Sequence, residues 1–449
     1  MTSTSMQTSP GGSRLTPEQT KHRRFLGKLC LVIAGGMFID GFILGGIGVV
    51  MPAITDELQL SAAWQGLIGA SALIGIFFGG PLGGYLADKV GRKPMFTYTL
   101  AIFLIGSVSQ FFLADAWSLF LVRLLMGMAI GADYAIGWPL LAEFAPAKLR
   151  GKLLAVQEVA WYVGYLFSYA LGYVLVSNIT IDWQLVLGLS TIPSVIVFLM
   201  RLGTPESPRW LMSKGRTREA EEIAAEYMSP EDQRDLMQEQ VRKASFRRLF
   251  SPEHLKMTVF VSVFWICNVT PYFAIATFAP IVLTQFGLED GLTGALALNA
   301  VVVLGSITSV VLIERVGRRK LAIPPFWISA AALLLVGLFA GASPTVVILC
   351  FLIFSFFNAV STALTGVYPG EVFPTEIRGA GVGFATAASR VGAAVGTFVL
   401  PVSMESLGVA PTMLFAAAVA IIGGIVSHFL APETKGLALS AASGGRTQG

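Results

Sequence analysis

The stretch Ala-Asp-Lys-Val-Gly-Arg-Lys at residues 87–93 decides the fold, because a close variant, Ile-Glu-Arg-Val-Gly-Arg-Arg, occupies residues 313–319. A second motif repeats with almost the same displacement, about half the length of the chain. Its two copies are Glu143, Pro146, Arg150 and Gly151, and Glu371, Pro374, Arg378 and Gly379. The simplest explanation is one long unit duplicated head to tail, with the two halves related by a pseudo-two-fold axis.

The composition is that of a membrane protein. Hydrophobic residues make up 54% of the chain and charged residues 13%, with a mean hydropathy of +0.71, whereas about 25% of the residues of soluble domains are charged. Apolar runs of about twenty residues can cross a hydrocarbon core about 30 Å thick. The predicted spans, numbered one to twelve, are residues 29–54, 63–87, 95–114, 117–141, 152–177, 182–201, 257–286, 291–313, 321–341, 345–369, 379–402 and 409–430. The sequence thus predicts an all-α membrane protein with twelve transmembrane helices in two pseudo-symmetric six-helix bundles.

The positive charges predict how the chain is threaded through the membrane. Of the 31 Lys and Arg, only Arg123 and Arg390 fall inside spans, and the others fall in the termini or in alternate loops, at residues 88–94, 148–152, 201–256 and 314–320. The positive-inside rule therefore predicts a multi-pass protein of the inner or plasma membrane with both termini in the cytoplasm. The net charge of +4 reflects this topology, so no nucleic-acid partner is expected.

Composition also divides the chain into five segments. The predicted order is a disordered cytoplasmic tail, a six-helix bundle, a cytoplasmic linker with short helices, a second six-helix bundle and a second tail, at residues 1–24, 25–201, 202–256, 257–430 and 431–449. Two charged helices are expected in the linker, at residues 216–228 and 231–243. The expected partners are a small-molecule substrate, protons and the lipid bilayer, and the protein is expected to be a monomer.

No constellation of side chains suits enzymatic chemistry. The three histidines lie in polar segments or near the ends of spans, without a metal-ligand pair, a nucleophile beside a base, or a phosphate-binding loop. The three cysteines lie in or beside different spans and are expected to pack as small apolar residues without a disulfide. The sequence therefore predicts no enzymatic activity, no metal and no cofactor.

Five motifs carry a family resemblance. They are Asp-Lys-Val-Gly-Arg-Lys at 88–93, the segment 143–151, Pro-Glu-Ser-Pro-Arg-Trp-Leu at 205–211, the segment 371–379 and Pro-Glu-Thr-Lys-Gly at 432–436. In this order and at these helix boundaries, they resemble the major facilitator superfamily, in its sugar-porter-like group, over about residues 25–436. The resemblance implies transport by alternating access around a central site between the two bundles.

The repeated motifs are expected to act as gates. Gly91 and Gly317 permit tight turns between spans, and Arg92 and Arg318 remain at the headgroup boundary. Carboxylates and arginines at the cytoplasmic ends of the spans are expected to pair between the bundles, which the resemblance implies would hold the cytoplasmic side closed. These residues are Asp88, Glu143, Arg150, Glu314, Glu371 and Arg378. The alternative is that the basic loops only anchor the topology.

Sugar-binding residues are missing from the positions where the resemblance implies them. Sugar porters bind hydroxyl groups through a glutamine pair and an asparagine in span seven, a glutamine in span five and a tryptophan in span ten. At these positions the chain has Cys267 and Asn268, Phe273, Tyr165 and Gly366. Because a buried polyol needs each hydroxyl paired, sugar transport becomes the alternative to another substrate class.

Charged residues inside the spans are the main candidates for function, because each costs about 2.5 to 3.5 kcal/mol at the centre of a spanning helix. Asp40 in span one resembles the acid that sugar:proton symporters use for coupling. Arg123 in span four is its expected partner, and a static pair between spans is the alternative. Asp133 in span four resembles an acidic position of phosphate and organic-ion carriers, and we expect water to reach it. With Glu158 in span five, three acids face two arginines, and which acid carries the proton stays open.

Arg390 in span eleven is the predicted substrate ligand. Superfamily members that move organic ions often have an Arg-x-Gly pattern here, and the fixed charge and forked donors of an arginine suit a carboxylate. A salt bridge inside the second half is the alternative.

An aromatic stripe on one face of span five is expected to line the same site, although packing between helices would explain it equally well. It contains Tyr162, Tyr165 and Tyr169, with Trp161 beside it. The polar candidates from the second half are Asn268, Tyr272 and Asn358.

The sequence therefore predicts a secondary active transporter that couples protons to the symport of a small organic anion, with an aromatic or other monocarboxylate as the favoured substrate. Sugar:proton symport and proton-antiport export of a drug or metabolite are the alternatives that use the same helices and acids. A sensor that keeps the fold without transporting is a further alternative.

Overall fold

The computed structural model describes residues 17–145, 147–178, 181–228, 233–234, 236, 246–339, 341 and 343–435. Over these ranges the secondary structure is helical and contains no strand. Twelve of the helices are long and apolar enough to cross a membrane. The predicted fold class is therefore confirmed.

The first half contains spans one to six. Proline inside several of these helices is tolerated because neighbouring helices satisfy the freed backbone groups. The helices are Pro17–Leu58, Ala62–Val90, Arg92–Ser109, Ala116–Phe144, Ala147–Asn178 and, for span six, Trp183–Gly188 followed by Thr191–Arg201. A 3-10 turn, Gln110–Phe112, extends span three.

The second half repeats this arrangement after two short helices, Pro208–Ser213 and Thr217–Tyr227, and a 3-10 turn, Phe246–Phe250. Spans seven to twelve are Leu255–Thr277 continued by Ala279–Gln285, Gly291–Val316, Arg318–Leu338, Pro344–Thr362 continued by Leu364–Val372, Thr375–Leu407, and Val409–Leu430.

The packing within each half follows the duplication. Span one packs along span five, span two along span four and span three along span six. In the second half, span seven packs along span eleven, span eight along span ten and span nine along span twelve. Because the same three pairings recur, the two bundles are related as the sequence repeat predicts.

Small residues allow the closest of these helix pairs to form. A methyl group added at Gly41 of span one would lie 2.0 Å from the carbonyl oxygen of Trp161 in span five. One added at Gly79 of span two would lie 2.0 Å from the carbonyl oxygen of Met128 in span four. Since apolar side chains gain little by leaving lipid, such backbone contact is what holds spanning helices together.

The two halves meet mainly through spans two and eleven and spans five and eight. Their contact is tight at the face opposite the chain termini. There, the Tyr169 hydroxyl donates to the carbonyl oxygen of Ala276 at 2.8 Å, and Thr293 Oγ1 donates to the Tyr173 hydroxyl at 3.0 Å. The halves are therefore closed against each other at this face.

The first helix begins earlier than predicted, at Pro17. Residues 17–24, assigned to a disordered tail from their polarity, are helical, and this end of the helix contacts the short helix Thr217–Tyr227. Lys21 Nζ lies 3.2 Å from Glu226 Oε1, and the Phe25 and Tyr227 rings are 4.2 Å apart between centroids. The helix predicted at 231–243 lies almost entirely outside the described residues.

In each half, a glutamate located after the last span accepts hydrogen bonds from the turn of the repeated motif. Gly91 and Gly317 have φ angles of 112° and 94°, in the region that favours glycine. Glu206 accepts from the backbone N–H groups of Arg92 and Lys93, at 2.9 and 3.2 Å. A carboxylate at a helix N-terminus is favoured because it satisfies free N–H groups and opposes the helix dipole.

Glu433 occupies the corresponding position in the second half and accepts from the backbone N–H of Arg318 at 3.0 Å and that of Arg319 at 3.1 Å. Burial tends to raise the pKa of Glu433, but hydrogen bonds from the backbone N–H groups of Lys435, Arg318 and Arg319 hold it below its ordinary value. The Pro-Glu motifs at 205–206 and 432–433 thus cap spans three and nine.

Candidate functional site

Three charged side chains lie within electrostatic range of each other near the boundary between the two halves. They are Asp40 of span one, Glu158 of span five and Arg390 of span eleven. Glu158 interacts electrostatically with Arg390, and Asp40 interacts with Asp133 and Arg201 and, less strongly, with Arg390. Asp40 and Arg390 are buried and Glu158 is half-buried, so two acids of the first half accompany one arginine of the second.

Arg390 is held by aromatic rings rather than by acceptors. Its side chain is only 9% exposed, and its Cζ lies 5.9 Å from the centroid of the Tyr134 ring and 5.7 Å from that of Phe273. These rings come from opposite halves, and both are within cation–π range. Among the described residues, no hydrogen bond or ion pair is made by the guanidinium.

The aromatic stripe predicted on span five lies at this site. The Trp161 ring is 5.5 Å from that of Tyr165 and 5.9 Å from that of Phe273, and the Trp161 Nε1 donates to the Tyr134 hydroxyl at 3.0 Å. Tyr162 contacts Tyr272 of span seven, with 5.9 Å between ring centroids. The aromatic residues thus connect the two halves around the charges.

Glu158 and Asp40 differ in burial. Glu158 is half-buried and receives no hydrogen bond from the described part of the chain. Asp40 is 0% exposed, and neither of its carboxylate oxygens has a hydrogen-bond partner there. An unpaired buried carboxylate is costly while it is charged, so both groups are candidates for binding a proton.

The predicted pairing of Asp40 with Arg123 is wrong in this structure. Arg123 is fully buried, but its Nη1 donates to the carbonyl oxygen of Ile43 at 3.3 Å, and its Nε and Nη2 have no partner among the described residues. The reason is the helical rise of span one: Ile43 lies nearly one turn beyond Asp40, so Arg123 contacts a different level of the helix.

Asp133 is paired with an arginine that the sequence analysis counted among the loop charges of residues 201–256. Arg201, at the end of span six, places Nη1 2.6 Å from Oδ1 and Nη2 2.8 Å from Oδ2 of Asp133. The Phe96 ring lies 3.6 Å below the guanidinium, and Thr99 donates to Asp133 at 3.3 Å.

This pair corrects two expectations. Asp133 is 3% exposed and Arg201 is 5% exposed, so Asp133 is sealed rather than open to water. When Arg201 is counted, the spans contain three acids, Asp40, Asp133 and Glu158, and three arginines, Arg123, Arg201 and Arg390. Arg201 was missed because it is the last residue of an apolar run, where arginine usually extends toward the headgroups; here its long side chain bends back into the bundle.

Asn268 is occupied within the second half. Its Nδ2 donates to Ser361 Oγ at 2.5 Å, and its Oδ1 accepts from Thr362 Oγ1 at 2.5 Å. Asn358 Nδ2 donates to the carbonyl oxygen of Asn268 at 3.0 Å, while its own Oδ1 has no partner among the described residues. The Asn268 amide thus joins span seven to span ten, and contact of either residue with a substrate stays a prediction.

The gating residues form ion pairs within each half rather than between the halves. Arg92 pairs with Glu143, which also accepts from Ser207 Oγ at 2.5 Å. Arg318 Nη2 lies 2.9 Å from Glu314 Oε1 and 2.9 Å from Glu371 Oε1. The predicted pairing between the bundles is therefore wrong for these residues. Each observed ion pair joins the turn of a repeated motif to the end of a span in the same half.

Two other predicted gating residues make contacts within the described residues of their own half. The Asp88 side chain is exposed, and its carbonyl oxygen accepts from Trp210 Nε1 at 3.0 Å. Arg378 Nε donates to the carbonyl oxygen of Phe373 at 3.2 Å, within the second half. The side chain of Arg150 lies outside the described residues, so its pairing stays a prediction.

Known proteins resemble this chain over nearly its full length. A model of the family described as "Sugar (and other) transporter" matches residues 29–443. The inner membrane metabolite transport protein YgcS of Escherichia coli (strain K12) is 38% identical over 422 residues, which cover 93% of this chain and 94% of that protein. The putative metabolite transport protein YaaU of the same organism is 36% identical over 426 residues, covering 94% of each.

A solved structure shares the fold. The xylose transporter XylE from E. coli, in a partially occluded inward open conformation, has a TM-score of 0.78 and 20% sequence identity, and the match covers 92% of this chain and 100% of that one. At this level of identity the likeness concerns the fold alone. The two metabolite transport proteins are not named for a substrate, so the substrate must be argued from the central site.

Proposed function

Because the chain belongs to the sugar (and other) transporter family of the major facilitator superfamily, we propose that it carries a small aromatic monocarboxylate across the membrane together with a proton. Membership of the family makes the protein a multi-pass membrane transporter of metabolites and not an enzyme. The substrate, the coupling and the residues that perform them are the content of the proposal.

The Arg390 site is the observation that carries the proposal. A guanidinium that is buried without a hydrogen bond or ion pair retains donors for a carboxylate, which can accept two of them side by side. The rings of Tyr134 and Phe273 flank these donors, and a flat aromatic substrate could stack on them. Because the rings belong to opposite halves, a substrate held here would contact both bundles.

A carboxyl group at the same site is proposed to carry the proton. Asp40 and Glu158 both interact electrostatically with Arg390 and receive no hydrogen bond from the described residues. Asp133 is a weaker candidate because both of its oxygens are paired with Arg201. A monoanion and one proton are together neutral, so the pH gradient alone would drive accumulation.

Alternating access would require the contacts between halves to separate. The hydrogen bonds from Tyr169 to Ala276 and from Thr293 to Tyr173 close the face opposite the termini. We propose that these bonds break when the site opens there, while the ion pairs of Arg92 and Arg318 keep each half rigid. The distribution of Lys and Arg supports an orientation with the termini in the cytoplasm.

Uptake into proteoliposomes with an imposed pH gradient tests the proposal. Benzoate and nicotinate should accumulate from the acidic side, whereas xylose and tetraethylammonium should not. Arg390→Ala should reduce carboxylate uptake by more than about tenfold, the equivalent of about 1.4 kcal/mol. Arg218→Ala is the control, since this side chain is 92% exposed. Efflux of preloaded benzoate in exchange for protons would indicate export instead.

Sugar:proton symport is the second candidate. The hydroxyl group of Tyr272 is buried and has no hydrogen-bond partner among the described residues, and a hydroxyl of a sugar could pair with it. Uptake of xylose that is unchanged by Arg390→Ala, without uptake of benzoate, would favour this function over the first.

A further inference from the structure

The hydroxyl group of Tyr134 is a hydrogen-bond donor that is held in place and left without an acceptor. Its oxygen accepts from Trp161 Nε1 at 3.0 Å, whereas its own hydrogen has no acceptor among the residues that the structure describes. Asp40 and Glu158 receive no hydrogen bond there either, so neither acid accepts this hydrogen. A phenolic hydroxyl can both donate and accept, and here only the accepting role is used.

The ring that carries this hydroxyl is fixed by its neighbours. Tyr134 lies half-buried in span four, and its ring stacks on that of Trp138 with 6.0 Å between centroids. Trp161, which holds the hydroxyl, packs against the Tyr165 ring at 5.5 Å between centroids. A side chain held in this way presents its donor in one direction, so little conformational freedom is lost when a ligand accepts from it.

Tyr134 and Arg390 present donors from opposite halves of the protein. The guanidinium carbon of Arg390 lies 5.9 Å from the centroid of the Tyr134 ring, and the guanidinium makes no hydrogen bond or ion pair with the described part of the chain. A carboxylate suits this pair, because it has two oxygens and each can accept a charge-assisted hydrogen bond of about 2.5 to 2.9 Å.

We infer that Tyr134 determines specificity at this site: its hydroxyl donates to one oxygen of the substrate carboxylate while Arg390 donates to the other. Trp161 is a positioning residue that orients the hydroxyl. This inference rests on the proposed function and deepens it. The bound carboxylate joins span four of the first half to span eleven of the second, a link that the empty site lacks. A ligand shifts a conformational equilibrium only through contacts that differ between the states, and this link is such a contact.

A carboxylate and a carboxamide differ at this pair of donors. Nicotinate offers two acceptor oxygens, whereas nicotinamide, with the same ring, offers one oxygen and an NH2 group that donates. Nicotinamide therefore satisfies either Tyr134 or Arg390 and leaves the other donor without an acceptor, which weakens binding. The two donors thus select a carboxylate by its pattern of acceptors as well as by its charge.

The affinities of nicotinate and nicotinamide for the purified full-length protein at neutral pH test the inference. Tyr134→Phe keeps the ring beside Arg390 and removes only the hydroxyl. The Kd of nicotinate should rise by about tenfold or more, as the loss of a hydrogen bond to a charged acceptor implies, and that of nicotinamide by less than about threefold. Tyr98→Phe, which removes the same atom from an exposed tyrosine, is the matched control and should change neither Kd.

Trp161→Phe separates positioning of the hydroxyl from a structural role. It should reduce the selectivity for nicotinate over nicotinamide in the wild-type background and leave this selectivity unchanged in Tyr134→Phe, because both substitutions act through one hydroxyl. A Trp161 side chain that only packs against its neighbours would weaken both ligands equally in either background. Additive effects on the selectivity would therefore overturn the positioning role.

The remaining outcomes distinguish this inference from the proposed function. An equal rise of both Kd values in Tyr134→Phe would show that the hydroxyl only braces spans four and five, so the inference would be wrong and the proposed function would survive. If Tyr134→Phe does not fold, an unchanged selectivity in Trp161→Phe overturns the inference. If neither nicotinate nor benzoate binds to the wild-type protein, the proposed function fails and the inference with it.

Discussion

The Asp133–Arg201 pair and the Arg390 site are both buried and charged, but only the first is complete. Each Asp133 oxygen accepts from one Nη of Arg201, at 2.6 and 2.8 Å. Around Arg390, the carboxylates of Glu158 and Asp40 attract the guanidinium without a direct ion pair among the described residues. A satisfied charge gains little from a ligand, whereas an unsatisfied one gains a partner.

The two sites also lie at different boundaries. Asp133 and Arg201 join spans four and six inside the first half, with Thr99 and Phe96 of span three beside them. Arg390 faces residues of the other half. Alternating access moves one half against the other. Charges that pair within one half can therefore hold a bundle together, whereas charges at the boundary between the halves are available to a substrate.

Removing one arginine from each site gives the largest expected contrast. Arg201→Ala leaves the Asp133 carboxylate buried and uncompensated, so the free energy of unfolding should fall by about 3–5 kcal/mol. Arg390→Ala removes a charge held only by rings and distant carboxylates, so the expected loss is below about 1 kcal/mol. Thermal unfolding of both variants in the same detergent measures the difference. Equal destabilisation would contradict the division between the two sites.

Crowding the complete pair should have a smaller effect. A methyl group at Gly36 of span one would lie 2.2 Å from Arg201 Nη2 and 2.7 Å from Asp133 Oδ2. Gly36→Ala should therefore reduce the free energy of unfolding by about 1–3 kcal/mol, because the sealed pair has little room to move. Gly27→Ala in the same helix is the matched control, since nothing lies within 4 Å of its added methyl group. An unfolding temperature for Gly36→Ala equal to that of the control would mean that the pair can shift.

The smallest effect is expected at Glu433, an exposed carboxylate that accepts hydrogen bonds from backbone N–H groups. The pKa of Glu433 is held below its ordinary value by these hydrogen bonds against the effect of burial. Its stabilising contribution is therefore present above the unfolded pKa and is lost as the pH falls through the lower folded pKa. Glu433→Gln should cost about 0.3–1 kcal/mol near neutral pH.

The difference in unfolding temperature between wild type and Glu433→Gln, measured as the pH is lowered, checks this expectation. The difference should shrink on acidification because the wild-type carboxylate becomes protonated. A difference that grows as the pH falls would show that Glu433 does not act as an ionised cap.

The predictions from sequence succeeded where the property is local or repeated. Hydropathy located the twelve spans because each must be apolar over the thickness of a bilayer, whatever its neighbours are. The displacement between residues 87–93 and 313–319 predicted two equivalent bundles, and the same helix pairings recur in both. Charged residues within apolar runs could also be recognised from position alone.

The partners of these charges were predicted poorly. Asp40 was assigned to Arg123, Arg201 was counted among the loop charges, and the gating pairs were expected between the bundles. Helical periodicity predicts on which face of a helix a side chain lies and at which position along the helix axis. It does not tell which of several neighbouring helices presents an acceptor at that position, and a long arginine side chain can extend several ångströms in either direction.

The order of residues along the chain was thus sufficient to establish a duplicated, twelve-span membrane protein with charges in its interior, because burial in lipid and duplication act on contiguous segments. The packing of the helices determined which charges are neutralised and which remain available. Neutralisation depends on a few ångströms between side chains distant in sequence: Arg201 and Asp133 form a complete pair, whereas Arg390 lies between two rings without an acceptor among the described residues.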